Sequence, residues 1–474
     1  MAHCGRIRAR LPEVQCEISM RYISTRGQMA PQSFQDAVLT GLAPDGGLLV
    51  PETIPQVADR LADWQQLSFQ DLALEIVSLY CDDIPRADLA ELIQRAYAGF
   101  DHPDITPTVA VGDVQILELF HGPTLAFKDV ALQLLGNLFE YILTARGREL
   151  NILGATSGDT GSAAIAGVRG HQNVRIFVMF PRGRTSRVQE LQMTTVTDAN
   201  VHTISVDGSF DDCQAIMKEA FGDLDFKGAM QLGAVNSVNW ARVLAQIVYY
   251  FHAALRQGAP EQPVSFSVPT GNFGDIFAGW LATRMGLPVD RLILATNEND
   301  ILSVFFNEGV YRRGDVHQTL SPSMDIQVAS NFERFLYYHC NQSPKALREM
   351  MAAFAATGEL HVAGEVDPLI RARAVHADET LATIRRYWQQ HGYLLDPHTA
   401  VGVAAGEALR TDAPLICLAT AHPAKFPEAV REAVGEDVAR HPAVDALQGL
   451  PTRSVDLPAD VQAVKAFIQQ QAMG

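Results

Sequence analysis

The sequence predicts an α/β protein built on doubly wound parallel sheets and preceded by a smaller, mostly helical N-terminal region. From about residue 105 onward, short apolar runs alternate with segments of helical periodicity, which is typical of βαβ units and a parallel sheet. The chain has 474 residues, too many for one ordinary hydrophobic core. We therefore expect two or three domains.

The first nineteen residues precede the regular pattern. They carry three arginines that resemble a basic leader, but no apolar segment follows, and two glutamates weaken an interpretation as a transit peptide. Met20 then begins a more regular segment. We expect Met20 to be the natural start and residues 1–19 to take no part in the fold.

The N-terminal region, residues 20–105, is predicted to be mostly helical with a short β start. Residues 22–24 are strand-like, and a glycine-rich loop at 41–47 precedes the apolar run 48–50. Helices are predicted at residues 31–39, 69–80 and 86–98. No arrangement of nucleophile and base is apparent in this region.

A lysine lies at a predicted strand-to-helix junction. The strand-like run 114–120 leads through a Gly-Pro turn to residues 130–143, whose apolar positions have helical spacing and for which Asp129 is the expected helix start. Lys128 has mostly apolar neighbours, which disfavour the ammonium form, lower the lysine pKa and leave an amine that can attack a carbonyl. Taken alone, such a lysine is more often a solvated residue at a helix start.

Further strand-loop-helix units follow in order. Strands are predicted at residues 150–153, 175–180, 201–206, 264–268, 292–296 and 414–419, and helices at 162–168, 210–221 and 276–281. Ligands of open α/β sheets bind beyond the carboxyl ends of the strands, so the loops after these strands are the expected site.

Two glycine-rich loops, residues 154–161 and 269–275, occupy such positions. Glycine lets backbone N–H groups approach an anion, and a helix N-terminus adds free donors and a favourable dipole. The first loop lacks the G-K-[ST] of a P-loop, and neither has the G-x-G-x-x-G of a dinucleotide site, which leaves a smaller anion such as a monophosphate or a carboxylate. Two anion cradles and one activatable lysine together indicate pyridoxal phosphate.

Composition excludes several classes of partner. The formal charge of −17 argues against a nucleic acid or an anionic membrane, and no apolar run in the sequence is long enough to cross a bilayer. The 6 cysteines are scattered without a C-x-x-C pair, and the 14 histidines show no metal-binding spacing. We expect no metal site, and thiols kept reduced in the cytoplasm.

Several motifs, in order along the chain, resemble one family. The segments PTLAFKD (residues 123–129) and TSGDTG (156–161) are similar to the fold-type II pyridoxal-phosphate enzymes, the tryptophan-synthase-β group. Five more segments resemble threonine synthases of the longer bacterial and fungal branch: TGNFGD (270–275), NSVNWAR (236–242), ATAHPAKF (419–426), RG (26–27) and PDGGL (44–48). The resemblance covers roughly residue 20 to the C-terminus. It implies an N-terminal domain over residues 20–105 and a catalytic region over 106–474 of two α/β subdomains, the smaller at about 150–245.

The resemblance also implies the cofactor site. Lys128 would bind the cofactor aldehyde covalently and shuttle protons, and Thr420 would meet the pyridine nitrogen, where a hydroxyl makes the ring a moderate electron sink. Asp159 replaces the asparagine common in the wider fold type; beside the phenolic oxygen of the ring it would be either protonated or turned away. The cofactor phosphate would be surrounded by Gly271, Asn272, Phe273, Gly274 and Asp275.

For the substrate, the resemblance implies that Ser157, Gly158 and Thr160 hold the α-carboxylate. The candidates for the substrate phosphate are Ser186, Arg187, Asn239, Arg242 and Lys425, each of which has the alternative of a surface charge or a helix cap. The segment DPHTA (396–400) is expected to close a βα turn near the cofactor rather than form a triad, and His422 is expected to be packed structure.

The activity implied is conversion of O-phospho-L-homoserine and water to L-threonine and phosphate, by γ-elimination and hydration at Cβ. Two sister activities stay open: the same elimination with release of 2-oxobutyrate, and a serine or threonine dehydratase. A non-catalytic metabolite-binding protein is a third alternative, but it has no need of Lys128. We expect a monomer or homodimer acting on a small molecule in the cytoplasm.

Overall fold

The structure, a computed structural model, describes residues 19–472. Residues 1–18 of the expected leader lie outside the described residues, so that expectation stays a prediction. Within residues 19–472, no helix is long and apolar enough to cross a membrane. In the same range, no group of three metal-ligating side chains comes together.

The N-terminal region combines a small antiparallel sheet with helices. Strand β1 (Tyr22–Ser24) pairs with β2 (Leu49–Pro51). The helices are α1 (Phe34–Thr40), α2 (Leu61–Trp64), α3 (Phe69–Ser78) and α4 (Arg86–Tyr97), with a 3₁₀ turn at Ala58–Arg60. The predicted 31–39 helix begins later, at Phe34, because Ser33 caps it by accepting the N–H of Asp36 and Gln32 bridges Tyr22 instead.

The larger sheet has six strands in the described chain. They are β3 (Thr108–Val111), β4 (Val114–Glu118), β9 (Val264–Pro269), β10 (Val289–Thr296), β13 (Ile370–Ala374) and β14 (Leu415–Ala419). Their order is β13-β10-β9-β14-β4-β3, and every pair is parallel except β3 with β4. The predicted strands β4, β9, β10 and β14 are therefore adjacent in the middle of the sheet. The structure adds the partly exposed edge strand β3 and the strand β13.

The second sheet has five strands, all parallel, in the described chain. They are β5 (Leu150–Ala155), β6 (Val174–Pro181), β7 (Val201–Asp207), β8 (Leu232–Gly233) and β15 (Val455–Pro458), in the order β15-β7-β6-β5-β8. Because β15 pairs with β7, this sheet takes a strand from near the C-terminus that the predicted range of about 150–245 omits.

Helices connect and cover both sheets. They are α5 (Lys128–Arg146), α6 (Asp159–Val168), α7 (Arg187–Thr194), α8 (Phe210–Gly222), α9 (Leu224–Ala229), α10 (Trp240–Arg256), α11 (Gly274–Arg284), α12 (Ile301–Glu308), α13 (Phe332–His339), α14 (Pro344–Thr357), α15 (Ala377–His391), α16 (Pro397–Ala408), α17 (Pro427–Val434), α18 (Pro442–Asp445) and α19 (Val461–Ala472). An antiparallel pair, β11 (Val310–Arg312) with β12 (Glu359–His361), and 3₁₀ turns at Pro322–Met324 and Pro423–Lys425 complete the described elements.

Helix α10 joins the N-terminal region to the larger sheet. It is buried from Trp240 to Leu255, and the Trp240 ring packs at 5.9 Å from Tyr22 and 5.7 Å from Tyr80. The wholly buried Arg334 adds polar links, donating to the carbonyl oxygens of Leu49 and Val238. Burial of this kind fixes the start of α10 relative to the carboxyl ends of the strands, where the candidate site lies.

Candidate active site

The loop between β4 and α5 places Lys128 at the first residue of the helix. The predicted helix start, Asp129, instead holds the preceding turn, because its carboxylate accepts the Thr124 N–H at 2.8 Å and the Thr124 hydroxyl at 2.7 Å. Burial raises the pKa of Asp129 to about 6, although these hydrogen bonds oppose the rise. Gly122 is needed here, since a Cβ at that position would lie 2.4 Å from the Asp129 Cβ. The loop is thus fixed before the lysine.

Lys128 is buried, at 8% exposed, and its amine has two polar neighbours. Nζ lies 3.4 Å from the Ser323 hydroxyl and 3.7 Å from the Asp159 carboxylate. Burial lowers the pKa of Lys128; Asp159 opposes this, and Lys425 and Arg242 add to it. The direction agrees with the expectation of an amine that is more easily deprotonated than a solvated lysine.

Asp159 stays ionised in spite of its burial. Burial alone would raise its pKa, but Lys425 and Lys128, together with a hydrogen bond from Gln189 at 2.7 Å, hold the pKa well below its usual range. The Lys425 amine lies 3.0 Å from the carboxylate. Of the two states left open by the sequence, the protonated one is therefore disfavoured in this structure.

Lys425 is a buried counter-ion of Asp159. Its side chain is 0% exposed, and Nζ donates to the Thr124 carbonyl at 2.6 Å and to the Gln192 amide oxygen at 2.8 Å. With Asp159 these partners account for all three N–H bonds of an ammonium group. In this structure its three N–H bonds are therefore used by protein partners, and the assignment of Lys425 to the substrate phosphate stays a prediction.

The second glycine loop runs from β9 into α11. Phe273 has a left-handed backbone, with φ of 65°, and its ring packs against Phe306 and Phe332. The Asp275 carboxylate accepts the hydroxyls of Tyr249 and Tyr250 at 2.6 and 2.9 Å, and burial raises its pKa to about 6 against these bonds.

Only the backbone N–H groups of Phe273 and Asp275 can therefore face a cofactor phosphate, since their side chains point elsewhere. The Asn272 amide oxygen accepts the Ser330 hydroxyl at 3.1 Å, which uses the oxygen and not the N–H₂ group that could donate to a phosphate. In the described part of the chain no side chain caps the N-terminus of α11, which begins at Gly274, so its first N–H groups are available to an anion.

Thr420 follows β14, the strand between β9 and β4. It is 6% exposed, and its carbonyl accepts the N–H of Phe127 at 2.8 Å. Thr420 therefore lies between the second glycine loop, which follows β9, and the Lys128 loop, which follows β4.

The first glycine loop, between β5 and α6, is held by Thr156. Its hydroxyl oxygen accepts the N–H groups of Gly158 and Gly161, both at 3.0 Å. Ser157 is exposed, Thr160 is half-buried, and a Cβ at Gly158 would lie 2.2 Å from the Gln189 side chain. The turn thus presents Ser157 and Thr160 beside the Asp159 carboxylate, where the sequence placed a site for a substrate carboxylate.

Arg242 is the phosphate candidate that the structure retains. It is 4% exposed, and within the described residues its Nε and Nη1 have no hydrogen-bond partner, nor does the buried Oδ1 of Asn236. Burial lowers the pKa of Arg242 to about 10, with Tyr249 opposing. A buried guanidinium without a partner is costly unless an anion satisfies it.

Three other candidates have structural roles. Ser186 caps α7 by accepting the Gln189 N–H, and Asn239 caps α10 while its amide donates to the Val38 carbonyl. Arg187 is exposed and lies 3.7 Å from Glu190. Helix-cap or surface contacts thus account for Ser186, Asn239 and Arg187 in this structure, and their assignments to the substrate phosphate stay predictions.

The DPHTA segment and His422 lie close to the site. Asp396 caps α16, as expected of a residue that closes a βα turn. His422 caps the following 3₁₀ turn by accepting the Ala424 N–H at 3.1 Å, and its ring packs 5.3 Å from Phe120.

Sequence reasoning missed Gln189, Gln192 and Ser323. The two glutamines are three residues apart on α7, a spacing that faces one side of a helix, but nothing local distinguishes them from solvated glutamines. Ser323 comes from a loop about two hundred residues after Lys128 and has no local signal.

Three family models match the chain. Residues 21–97 match "Threonine synthase N terminus", residues 112–418 match "Pyridoxal-phosphate dependent enzyme", and residues 399–468 match "Threonine synthase, C-terminal". The chain belongs to the threonine synthase family. This confirms the family and the fold class predicted from the motifs.

Individual relatives agree over nearly the whole chain. A threonine synthase from Pseudomonas aeruginosa is 48% identical, covering 95% of this chain and 98% of the relative. The crystal structure of PLP-bound threonine synthase from Brucella melitensis superposes with a TM-score of 0.94 at 45% identity, covering 96% of this chain and 100% of that one. The yeast threonine synthase structure has a TM-score of 0.91 at 43% identity, covering 96% and 99%.

The residues present fit pyridoxal phosphate, the cofactor of this family. Lys128 supplies a buried amine of lowered pKa, and the N-terminus of α11 supplies backbone donors for a phosphate. The Arg242 guanidinium, whose Nε and Nη1 have no partner within residues 19–472, adds a buried cation whose charge acts on Lys128. Each of these features is costly or idle in a protein that binds no anionic aldehyde.

Proposed function

We propose that the protein converts O-phospho-L-homoserine and water to L-threonine and phosphate. The observation that carries this proposal is the buried guanidinium of Arg242, whose Nε and Nη1 have no hydrogen-bond partner among residues 19–472. Burial is the main cause that lowers the pKa of Lys128, and the charges of Lys425 and Arg242 lower it further. The N-terminus of α11 supplies donors for the cofactor phosphate, so a buried cation whose charge also acts on the Lys128 amine favours a substrate with its own phosphate. The threonine synthases among the relatives support the same assignment.

For the cofactor, we assign the phosphate to the backbone donors of residues 271–275 and the pyridine nitrogen to the Thr420 hydroxyl. When bound, pyridoxal phosphate withdraws electrons from the substrate carbon chain. A hydroxyl at Thr420 does not hold the pyridine nitrogen protonated as a carboxylate would, which limits that withdrawal. The ionised Asp159 is balanced by Lys425 and so leaves the Lys128 amine available.

For the substrate, Ser157, Gly158 and Thr160 hold the α-carboxylate and Arg242 holds the phosphate. With both ends of the substrate held, the Lys128 Nζ takes protons from the substrate Cα and Cβ. After phosphate leaves Cγ, it returns protons to the substrate carbons. Water then adds at Cβ and supplies the hydroxyl of threonine. One mobile amine can serve several of these transfers, and the lowered pKa of Lys128, caused mainly by burial, makes its neutral form more accessible than that of a solvated lysine.

The assay is a comparison of substrates. A site whose buried cation requires a phosphate leaves that cation unpaired with L-homoserine, and such a mismatch costs on the order of 10⁴-fold in kcat/KM. We expect turnover of O-phospho-L-homoserine, little of L-homoserine or L-serine, and one phosphate released for each threonine formed. Efficient deamination of L-serine without use of the phosphorylated substrate would identify a dehydratase and contradict the proposal.

We further propose a monomer or homodimer that acts in the cytoplasm, with residues 20–105 as a separate N-terminal domain. The four cysteines of the described chain that carry free thiols support a reducing compartment. Light scattering on the purified protein tests the assembly, and a trimer or larger particle would contradict it.

A further inference from the structure

A chain of hydrogen bonds leads from α16 to the catalytic amine. The Asp396 carboxylate and His398 Nδ1 are 2.8 Å apart, and His398 Nε2 accepts the Ser323 backbone N–H at 3.2 Å. Asp396 and His398 are 1% and 3% exposed. The Ser323 hydroxyl then lies 3.4 Å from Lys128 Nζ.

The partners of Asp396 fix the protonation of His398. The carboxylate also accepts the His398 N–H at 2.9 Å and the N–H and hydroxyl of Thr399, so its protein partners are donors. The proton of the ring therefore lies on Nδ1. Because a backbone N–H only donates, Nε2 must be unprotonated to accept from Ser323. His398 is thus committed to the backbone of Ser323 and does not act as a base toward its hydroxyl.

The loop that carries Ser323 is rigidly held. Asn297 Nδ2 donates to the Thr319 hydroxyl and to the Asp325 carboxylate, both at 2.8 Å, and the Thr319 N–H donates to Asp325 at 2.9 Å. The loop also packs directly on the second glycine loop, since a Cβ at Gly271 would lie 2.6 Å from the Ser323 carbonyl oxygen. These contacts therefore keep Ser323 at the amine, even though the residue lies in a loop with only the short 3₁₀ turn Pro322–Met324.

Ser323 is the uncharged neighbour of the amine. The other polar neighbour, Asp159 at 3.7 Å, is already paired with Lys425 at 3.0 Å. Building on the proposed function, in which Lys128 carries protons between substrate carbons, we propose that Ser323 is a catalytic residue. Its oxygen accepts an N–H of the ammonium form, and its hydroxyl donates to the lone pair of the neutral form. The hydroxyl thereby directs the amine through each transfer, while Asp396 and His398 are positioning residues that act through it.

The first test measures Lys128 alone. The full-length chain without cofactor is labelled with acetic anhydride across a pH series, and each of the 6 lysines is quantified by mass spectrometry, so that the exposed lysines serve as internal references. The charged groups that act on Lys128 are Asp159, Lys425, Arg242 and Asp129, and none is changed. Ser323→Ala should move the Lys128 labelling midpoint to lower pH, because the ammonium form loses an acceptor. Ser323→Thr should restore it.

The positioning residues have their own control. His398→Phe should shift the midpoint in the same direction as Ser323→Ala, since the loop loses its acceptor at Nε2. Asp396→Asn keeps an oxygen that can accept the His398 Nδ1–H, so its Lys128 labelling midpoint should lie closer to that of the wild type. A midpoint unchanged in both Ser323→Ala and His398→Phe overturns the proposal.

The second test uses the holoenzyme. Ser323→Ala should lower kcat by about 10²-fold, the lower range for a group that assists proton transfer, with little change in KM, and Ser323→Thr should recover most of the loss. A shifted midpoint with unchanged kcat would overturn the catalytic role. Because the labelling needs no substrate, failure of the wild type to use O-phosphohomoserine would contradict the proposed function and leave the placement of Ser323 standing.

Discussion

Replacing Lys425 with methionine tests the charge balance of the site most severely. At 3.0 Å, the attraction between Lys425 and Asp159 is about 5–6 kcal/mol for an effective dielectric constant of about 20. Desolvation of the two ions offsets much of this, but removing one partner leaves the other buried and uncompensated, which typically costs about 3–5 kcal/mol. Asp159 keeps Gln189 at 2.7 Å and Lys128 at 3.7 Å, so we expect Lys425→Met to cost about 3 kcal/mol in the free energy of unfolding.

Urea denaturation at pH 7 measures this loss, with Asp159→Asn and the double variant completing a cycle. The double variant should be at least about 1 kcal/mol more stable than the sum of the single losses, because it no longer buries an unpaired carboxylate. The matched control is Lys465→Met, whose partner Asp223 is 41% exposed; solvent screens this pair, so the loss should be much smaller than for Lys425→Met. Additive losses, or a cost for Lys425→Met as small as the control, would refute the reasoning.

The pH dependence follows from the same pair. The pKa of Asp159 is lower in the folded chain than in the unfolded one, so its stabilising contribution is present above the unfolded pKa of about 4 and is lost as the pH falls further. Lys425→Met should raise the pKa of Asp159 in the folded chain towards its unfolded value. The variant should therefore lose less stability than the wild type when the pH falls from about 5 to about 3, a range that spans the unfolded pKa. Equal acid sensitivity of the two proteins would show that Lys425 does not set the charge of Asp159.

Three further substitutions probe the site directly. Arg242→Gln should lower kcat/KM for O-phosphohomoserine by about 10²-fold or more, as loss of a charged hydrogen-bonding partner implies, whereas the exposed Arg187→Gln should leave steady-state kinetics unchanged. Lys128→Ala should abolish the borohydride-reducible cofactor linkage while circular dichroism shows an intact fold; reduced cofactor found on another lysine would contradict it. Thr420→Asp should alter the absorbance of the bound cofactor and increase side products. An unchanged spectrum and product profile would show that Thr420 does not contact the pyridine ring.

Features that depend on neighbouring residues could be predicted from the sequence. The strand-turn-helix pattern around Lys128 is local, and so are the glycines before α6 and α11, whose backbone positions decide where an anion can approach. Parallel strands place their carboxyl ends together, which brings the Lys128 loop, the loop before α11 and Thr420 to one edge of the larger sheet. The loop before α6 follows β5 of the second sheet, so this rule does not place it beside the others.

Features that depend on partners distant in the sequence could not be predicted. Lys425 and Arg242 are both buried cations in family motifs. Only the structure shows that Lys425 is paired with Asp159, while Nε and Nη1 of Arg242 find no partner in the described part of the chain. Ser186 and Asn239 are types favoured at helix caps, and whether such a residue caps a helix or meets a ligand depends on where the next helix begins. The edge strand β15 joins the second sheet from near the C-terminus, a pairing that no local pattern encodes.

The most direct test of the central claim is to follow O-phospho-L-homoserine in ¹⁸O-labelled water and analyse the products by mass spectrometry. Hydration at Cβ predicts threonine labelled at its hydroxyl oxygen and one equivalent of phosphate, with Arg242→Gln slow and Arg187→Gln normal in the same assay. Phosphate together with 2-oxobutyrate and no threonine would contradict the account, because the chain would then carry out the elimination without the hydration.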